Sequence, residues 1–313
     1  MSMVAETKAG LSLRVLLTHS VDYAGLFPPA TLGLETALKN YATYLRSSDA
    51  WMLSSFVLPI EKFADAAWFI SEFDQNHPLR ISALGQKTTN VIEFLEELRT
   101  ALKGIREFTG EYDNVVVIDQ LEMPFPPGIE RETLSKMREV LGNVRVRSFW
   151  EASPQDAERT ISLLAEHNSR ATGEPFSFKL RTGGVAPDAF PSSTQIAKTL
   201  IAGVRQGVAM KFTAGLHHPI RMFRDEVNAK MHGFLNVFGA GVLAIEHGWD
   251  ERQTGIMLED ENVYSFHFDD TVFGWREWKI SSDKIEKHRR FVTSFGSCSF
   301  DEPRQDLHQL KLL

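Results

Sequence analysis

Short apolar runs alternate with amphipathic helical patterns along most of this chain, and this alternation constrains the fold more than any other feature. Runs that read as strands occupy residues 14–19, 52–59, 79–86, 114–124, 144–152, 176–181 and 210–213. Near-continuous apolar strands that alternate with helices are typical of a parallel sheet covered on both faces. Seven such units predict an α/β protein with a (β/α)8 TIM-type barrel. A doubly wound open sheet is the alternative.

The position of the eighth strand is open between two stretches. Residues 232–238 would follow the seventh strand closely, whereas residues 291–300 would make 220–290 a long insertion. We favour 232–238, which predicts a single barrel domain over residues 1–313. Residues 248–313 would then form a C-terminal extension packed on the barrel.

The predicted extension contains a helix and a β-hairpin. Residues 264–281 alternate between apolar and polar side chains, as hairpin strands do, around a turn at Asp269 and Asp270. The sequence therefore predicts antiparallel pairing in a segment that lies outside the strand–helix units.

Composition excludes several classes of function. The chain has 313 residues, 43% of them hydrophobic and 24% charged, with a net charge of −7 and no basic run, which argues against a nucleic-acid partner. Its single cysteine, Cys298, excludes an intrachain disulfide and suits a reducing compartment. Residues 1–15 lack the pattern of a secretory signal, and no apolar stretch is long enough to span a bilayer. We therefore expect a cytoplasmic protein without a membrane partner.

Two lysines lie near the ends of the sixth and seventh predicted strands. Strand alternation places Lys179 and Phe178 on different faces of one strand, and Lys211 and Phe212 on different faces of the next. The phenylalanines would face the helices, so both lysines would point into the barrel. A charged lysine inside a barrel is unfavourable unless it is paired. We therefore treat the two lysines as a candidate site, while a purely structural pairing with carboxylates stays open.

Polar side chains also end many of the other predicted strands. The residues at these ends are His19, Asp22, Gln86, Lys87, Asp119, Glu122, Glu151, Arg181, His217 and His218. Because active sites of TIM barrels lie at the C-terminal ends of the strands, these side chains predict one polar pocket. Arg181 offers a guanidinium fork for an anionic group, and Gly183 and Gly184 offer backbone amides, although this Gly pair is also compatible with a plain tight turn.

Two short motifs resemble a known enzyme family. KLRTGG at 179–184 and KFTAG at 211–215 resemble the sixth and seventh strands of the class I deoxyribose-phosphate aldolases. The resemblance implies that Lys179 forms a Schiff base, that Lys211 lowers its pKa, and that Asp119 moves protons. A lysine must be neutral to attack a carbonyl, so a neighbouring cation would help.

The chain also departs from that family. Arg181 stands where the family has a small hydroxyl residue, and residues 216–219 replace a Gly-rich phosphate turn. FGSCSFDEP at 295–303 resembles a different bacterial and plant protein family, and that resemblance implies no activity.

The sequence thus predicts an enzyme, of aldolase or lyase type, that acts on a small anionic carbonyl compound through a lysine imine. The expected catalytic residues are Lys179, Lys211, Asp119 and Glu151. The expected substrate-binding residues are Arg181, Gly183, Gly184, Thr213, His217, His19 and Gln86. No cofactor is expected, the partner is a small-molecule substrate, and homo-oligomerisation stays open.

Two other functions fit the same sequence. A metal-dependent lyase, isomerase or hydrolase would hold a divalent metal with His217, His218 and Asp119, assisted by Glu151. A non-catalytic barrel would bind a small ligand in the same pocket. Cys298 could act as a nucleophile if the fold brought a histidine to it, although a lone cysteine is more often inert and buried.

Overall fold

The computed structural model describes residues 9–313, which form a closed barrel of eight parallel strands surrounded by helices. The predicted (β/α)8 architecture is therefore confirmed, and the doubly wound alternative is wrong. The first seven barrel strands are β1 (Val21–Tyr23), β2 (Leu53–Pro59), β3 (Leu79–Leu84), β4 (Val116–Pro124), β5 (Arg147–Ala152), β6 (Phe176–Arg181) and β7 (Met210–Thr213).

Helices precede and connect these strands. They are α1 (Leu11–Leu17), α2 (Leu34–Tyr44), α3 (Phe63–Ala66), α4 (Val91–Glu111), α5 (Arg131–Leu141), α6 (Ala157–Arg170) and α7 (Ser193–Gln206), with 3-10 turns at 50–52, 60–62, 67–72 and 187–189. The sequence marks the start and end of α7 clearly. Ser192 and Gln195 form a capping box, and Gly207 ends the helix in the left-handed conformation.

A long excursion separates β7 from the last barrel strand. It contains β8 (Met222–Arg224), β9 (Ala229–Met231), α8 (Phe234–His247), α9 (Glu251–Leu258), a 3-10 turn at 263–265, β10 (Phe266–Phe268), β11 (Val272–Trp275), β12 (Trp278–Ser281) and α10 (Ser282–His288). The barrel then closes with β13 (Val292–Ser297), which pairs with β1 and β7, and α11 (Asp301–Gln309) follows.

The prediction for the eighth strand is wrong, and the alternative at 291–300 is right. Most of 232–238 lies in α8, whose residues 234–244 are all buried. A helix that is apolar all round has no amphipathic signature, so periodicity does not distinguish it from a buried strand. Residues 248–313 are therefore no separate extension, because β13 belongs to the barrel. The predicted hairpin is confirmed as β10 and β11, with β12 as a third antiparallel strand.

The prediction for the first strand is also wrong. Residues 14–19 overlap α1, in which Leu13, Leu16 and Leu17 are buried at helical spacing. The true first strand, β1, has only three residues and begins after His19. His19 therefore lies at the N-terminal end of the barrel. Residues 1–8, which include most of the segment predicted to lack a secretory signal, lie outside the described residues.

Strand alternation places the polar side chains inside the barrel. Lys179 on β6 and Lys211 on β7 are direct register partners, as the sequence predicts. Neighbouring large apolar residues such as Phe178 and Phe212 are fully buried and belong to the hydrophobic core. Within residues 9–313, no helix combines the length and the apolarity that crossing a bilayer requires.

Candidate functional site at the centre of the barrel

Lys211 is fully buried and is held on all sides by polar atoms. Its Nζ donates to Ser82 Oγ at 3.1 Å, to Gln120 Oε1 at 2.9 Å and to a carboxylate oxygen of Glu122. Asp22 Oδ2 lies 3.1 Å away and completes the ion pairing. A lysine ammonium has three donors, and these contacts use all of them. Lys211 is therefore fully hydrogen-bonded at the centre of the barrel.

Lys179, the register partner of Lys211, contacts two carboxylates. Its Nζ is 2.7 Å from Glu122 Oε2 and 2.8 Å from Glu151 Oε2. Burial disfavours the ammonium, but the two carboxylates outweigh burial and raise the pKa of Lys179 above its ordinary value. For Glu122, burial opposes ionisation, but the two lysines prevail and lower its pKa to about 2.

The pKa shift of Lys179 is therefore the opposite of the one that the family resemblance implies. The two lysines are neighbours in register, but Glu122 lies between their amines and bridges them. Its negative charge offsets the repulsion that would lower the pKa of Lys179. The resting state of Lys179 is an ammonium ion, so any nucleophilic role requires that it first lose a proton to a neighbouring group.

Two cavities open at the C-terminal ends of the strands, and Lys179 lines both. The smaller has a volume of about 220 Å³, and its wall includes Glu122, Arg181, Gly184, Thr213, His217 and Cys298. The larger, of about 880 Å³, is lined by Glu151, Arg181 and the loop at 124–129. Lys211 lines neither cavity. Lys179 is thus the lysine of the pair that a ligand can reach.

The two Gly turns after β6 and β7 pack against each other. A Cβ atom on Gly183 would lie 2.9 Å from the Cα of Gly215, and Gly215 itself has a φ of +75°. Thr182 Oγ1 donates to Ala214 O at 2.5 Å and ties the turns together. Gly183 therefore serves close backbone packing, whereas Gly184 lines the smaller cavity.

The adjacent histidines both lie within 3.8 Å of Glu302, but their other contacts differ. His217 faces the smaller cavity, where its Nδ1 lies 3.8 Å from Cys298 Sγ and 3.4 Å from Glu302 Oε2. Burial opposes protonation of His217, but the contacts with Cys298 and Glu302 raise its pKa to about 9. His218 Nδ1 instead contacts Asp306 Oδ2 at 2.6 Å.

The metal ligands suggested by the sequence do not come together. His217 and His218 both lie near Glu302, but Asp119 lies far from both, at the other end of the barrel. Over residues 9–313, no group of three or more His, Cys, Asp or Glu side chains is arranged to hold a metal ion.

Three residues assigned to the site by sequence lie elsewhere. Asp119 and His19 line a cavity among the N-terminal ends of the strands. Gln86 is exposed and donates to Glu61 Oε2 at 2.9 Å. Asp119 was misplaced because it lies within β4 rather than at its end, where an irregularity in the pairing with β3 makes it an extra residue between Ile118 and Gln120.

The carboxylate of β4 that does reach the lysines is Glu122. Gln120 and Glu122 are two residues apart on one strand, so they share the inward face and both contact Lys211. The sequence signal was present in this spacing, because the predicted strand at 114–124 already included both residues. Asp22 carried no comparable signal, because its contact with Lys211 joins β1 to β7 across the closed barrel.

These polar residues form a continuous column through the barrel. Ser55 Oγ lies 3.4 Å from Asp119 Oδ1 and accepts from Gln120 Nε2 at 3.0 Å. The column then continues through Lys211, Glu122 and Lys179 to Glu151, each in contact with the next. Charged and hydrogen-bonded groups therefore fill the central space that aliphatic layers occupy in most barrels of this type.

Comparisons with known proteins do not assign this chain to a family. The scan against protein-family models gives no match, and neither does the search of curated proteins. A GH10 endoxylanase from a sugarcane soil metagenome is 12% identical with a TM-score of 0.39, and the match covers 70% of this chain and 74% of the xylanase. The zinc-complexed atrazine chlorohydrolase TrzN from Arthrobacter aurescens TC1 is 11% identical with a TM-score of 0.31, and the match covers 64% of this chain and 54% of the hydrolase. This chain thus spans about half the length of that hydrolase.

Proposed function

We propose that this protein is an enzyme that acts on a small anionic carbonyl compound through an imine on Lys179. The observation that carries the proposal is the position of Lys179, whose amine contacts two carboxylates and also lines both cavities at the C-terminal ends of the strands. Active sites of TIM barrels lie at this end. Lys211, which is fully buried and fully bonded, would hold Glu122 in place.

Glu151 is the group best placed to take the proton of Lys179. Three carboxylates (Asp22, Glu122 and Glu151) face Lys179 and Lys211, and Arg181 Nη1 also lies 3.9 Å from Glu151 Oε1. Glu122 is bound by both lysines and has a pKa of about 2, and Asp22 is fully buried. The side chain of Glu151 is 15% exposed and faces the larger cavity.

Imine formation would then proceed without an external base. Glu151 accepts a proton from Lys179, and the neutral Nζ forms a bond to the carbonyl carbon. The former carbonyl oxygen takes this proton back from Glu151 and a second proton from Nζ, and it leaves as water when the C=N bond forms. Arg181 and His217 are positively charged groups on the wall of the smaller cavity. They would hold the anionic group of the substrate.

Borohydride trapping tests this proposal. The protein is incubated with small aldehydes, 2-keto acids and sugar phosphates, then reduced, digested and analysed by peptide mass spectrometry. We expect one adduct per chain, on Lys179, because this amine alone of the buried pair is reachable. Lys179→Met should abolish the adduct, whereas Lys103→Met should not, since Lys103 is 71% exposed on α4. Adducts spread over surface lysines and retained in Lys179→Met would refute the imine.

The raised pKa of Lys179 favours a second candidate of a different type. A permanent ammonium ion could stabilise an enolate while Glu151 removes a proton next to the carbonyl, without a covalent bond. Exchange of substrate protons with deuterated solvent, in the absence of any borohydride adduct, would identify this reaction. Binding of a carbonyl compound with neither exchange nor adduct would point to the non-catalytic barrel.

A further inference from the structure

We propose a second binding site, for a phosphate group, in the cavity at the N-terminal end of the barrel. This cavity has a volume of about 450 Å³, within the range of small-molecule sites. It lies at the opposite end of the polar column from Lys179 and shares no lining residue with the two cavities described above. The proposal is therefore independent of the imine chemistry.

Three arginines converge on this cavity, and their positive charge is not balanced. Arg80, Arg145 and Arg147 face two carboxylates, Asp119 and Glu174, which leaves an excess of one positive charge in a protein of net charge −7. Arg80 Nη1 lies 3.6 Å from Asp119 Oδ2. Among residues 9–313, the guanidinium groups of Arg145 and Arg147 have no carboxylate within ion-pair distance and no hydrogen-bond acceptor. Two free guanidinium forks are suited to the oxygens of a phosphate group.

The backbone around the cavity is irregular at two of its lining residues. Asp119 is the extra residue of the β4 irregularity, and His19 adopts a φ of +47°, which is uncommon for a residue other than Gly. His19 Nδ1 lies 2.9 Å from Leu53 O. Irregular backbone of this kind concentrates at ligand sites, where it aims particular side chains.

The floor of the cavity is polar and rigid. Ser55 and Gln120 line it, are almost completely buried and hydrogen-bond to each other. Burial raises the pKa of Asp119, and Arg80 opposes that rise. A bound phosphate group would compete with Asp119 for Arg80 and recruit Arg147 from the adjacent strand.

The test is a calorimetric titration of the full chain, first with inorganic phosphate and then, separately, with glycerol phosphate. Arg147→Gln should weaken binding at least tenfold, because it removes a charge-assisted contact. Asp119→Asn should strengthen binding, because it removes the negative charge that competes for Arg80. Arg205→Gln, an exposed arginine on α7, is the matched control and should change nothing.

The outcomes separate the alternatives. Binding of both probes would identify a site for the phosphate group itself, and binding of the ester alone would identify a site for a phosphorylated metabolite. Failure of both probes to bind at millimolar concentration would overturn the proposal. Equal affinity in the wild type, Arg147→Gln and Asp119→Asn would do so as well, because the bound anion would then lie elsewhere.

Discussion

Replacing Glu151 with Gln is expected to slow imine formation on Lys179 by roughly ten- to a thousandfold at pH 7. A positioned general base is worth about 10²–10⁴ in rate. Loss of a carboxylate also lowers the pKa of Lys179 and offsets part of this effect, at about tenfold per pKa unit. We expect loss of the base to dominate, because Glu122, the other contact of Lys179, is too weak a base to replace it.

The pH profile distinguishes the two effects in this experiment. In the wild type, proton transfer from Lys179 to Glu151 leaves the total charge unchanged, so the trapping rate should be nearly flat between pH 6 and pH 9. In Glu151→Gln the proton must go to solvent, and the rate should rise with pH. Rates are measured by quenching with borohydride at timed intervals. A variant as fast as the wild type, with the same flat profile, would exclude Glu151 as the base.

Replacing Glu122 with Gln should cost about 3–5 kcal/mol in the free energy of unfolding, the usual range when one partner of a buried ion pair is removed. Glu122 bridges two buried ammonium groups, and Gln would leave both with less charge compensation. The matched control is Glu35→Gln. Glu35 also contacts a lysine, Lys39, at 2.6 Å, but its side chain is 59% exposed, so we expect a loss below about 1 kcal/mol. Urea denaturation measures both.

Acid should remove the difference in stability between the wild type and Glu122→Gln. The pKa of Glu122 is about 2 in the folded protein and 4.5 is its ordinary value, so its contribution is complete above about pH 4.5 and is lost as the pH falls towards 2. The wild type and Glu122→Gln should therefore converge in stability as the pH falls through this window. A difference that persists unchanged to pH 2 would mean that the loss in the variant comes from packing rather than from charge.

The strand–helix alternation was enough to predict the barrel and the inward direction of both lysines. The alternation of side chains between the two faces of a strand is a local property. It can be recognised from each lysine and its neighbouring phenylalanine, Lys179 with Phe178 and Lys211 with Phe212. The errors arose where information is not local. The predicted strand at 114–124 already contained Glu122, but the irregularity in its pairing with β3 left no mark in the sequence, so Asp119 was chosen in place of Glu122 as the partner of the lysines.

The same reasoning explains the error at the eighth strand. α8 is buried on all sides, so its sequence lacks the polar stripe that identifies a surface helix. The contacts of Lys211 with Asp22 and Ser82 join strands far apart in the chain. Such contacts depend on how the barrel closes, and they cannot be predicted from the spacing of residues in a single sequence. Local chemistry was therefore predictable, and the partners of the buried charges were not.

The position of β13 between β1 and β7 has a consequence for how the chain reaches its native state. Until residues 292–297 are in place, the other seven barrel strands form at most an open sheet, with β1 and β7 as unpaired edges. Pairings between residues so distant in sequence form late, because the entropy of closing the intervening loop must be overcome first. We therefore expect those amides of β1 that bond to β13, rather than to β2, to gain protection from hydrogen exchange no earlier than the amides of β13. Pairing of the last strand, β13, would therefore be the step that closes this barrel.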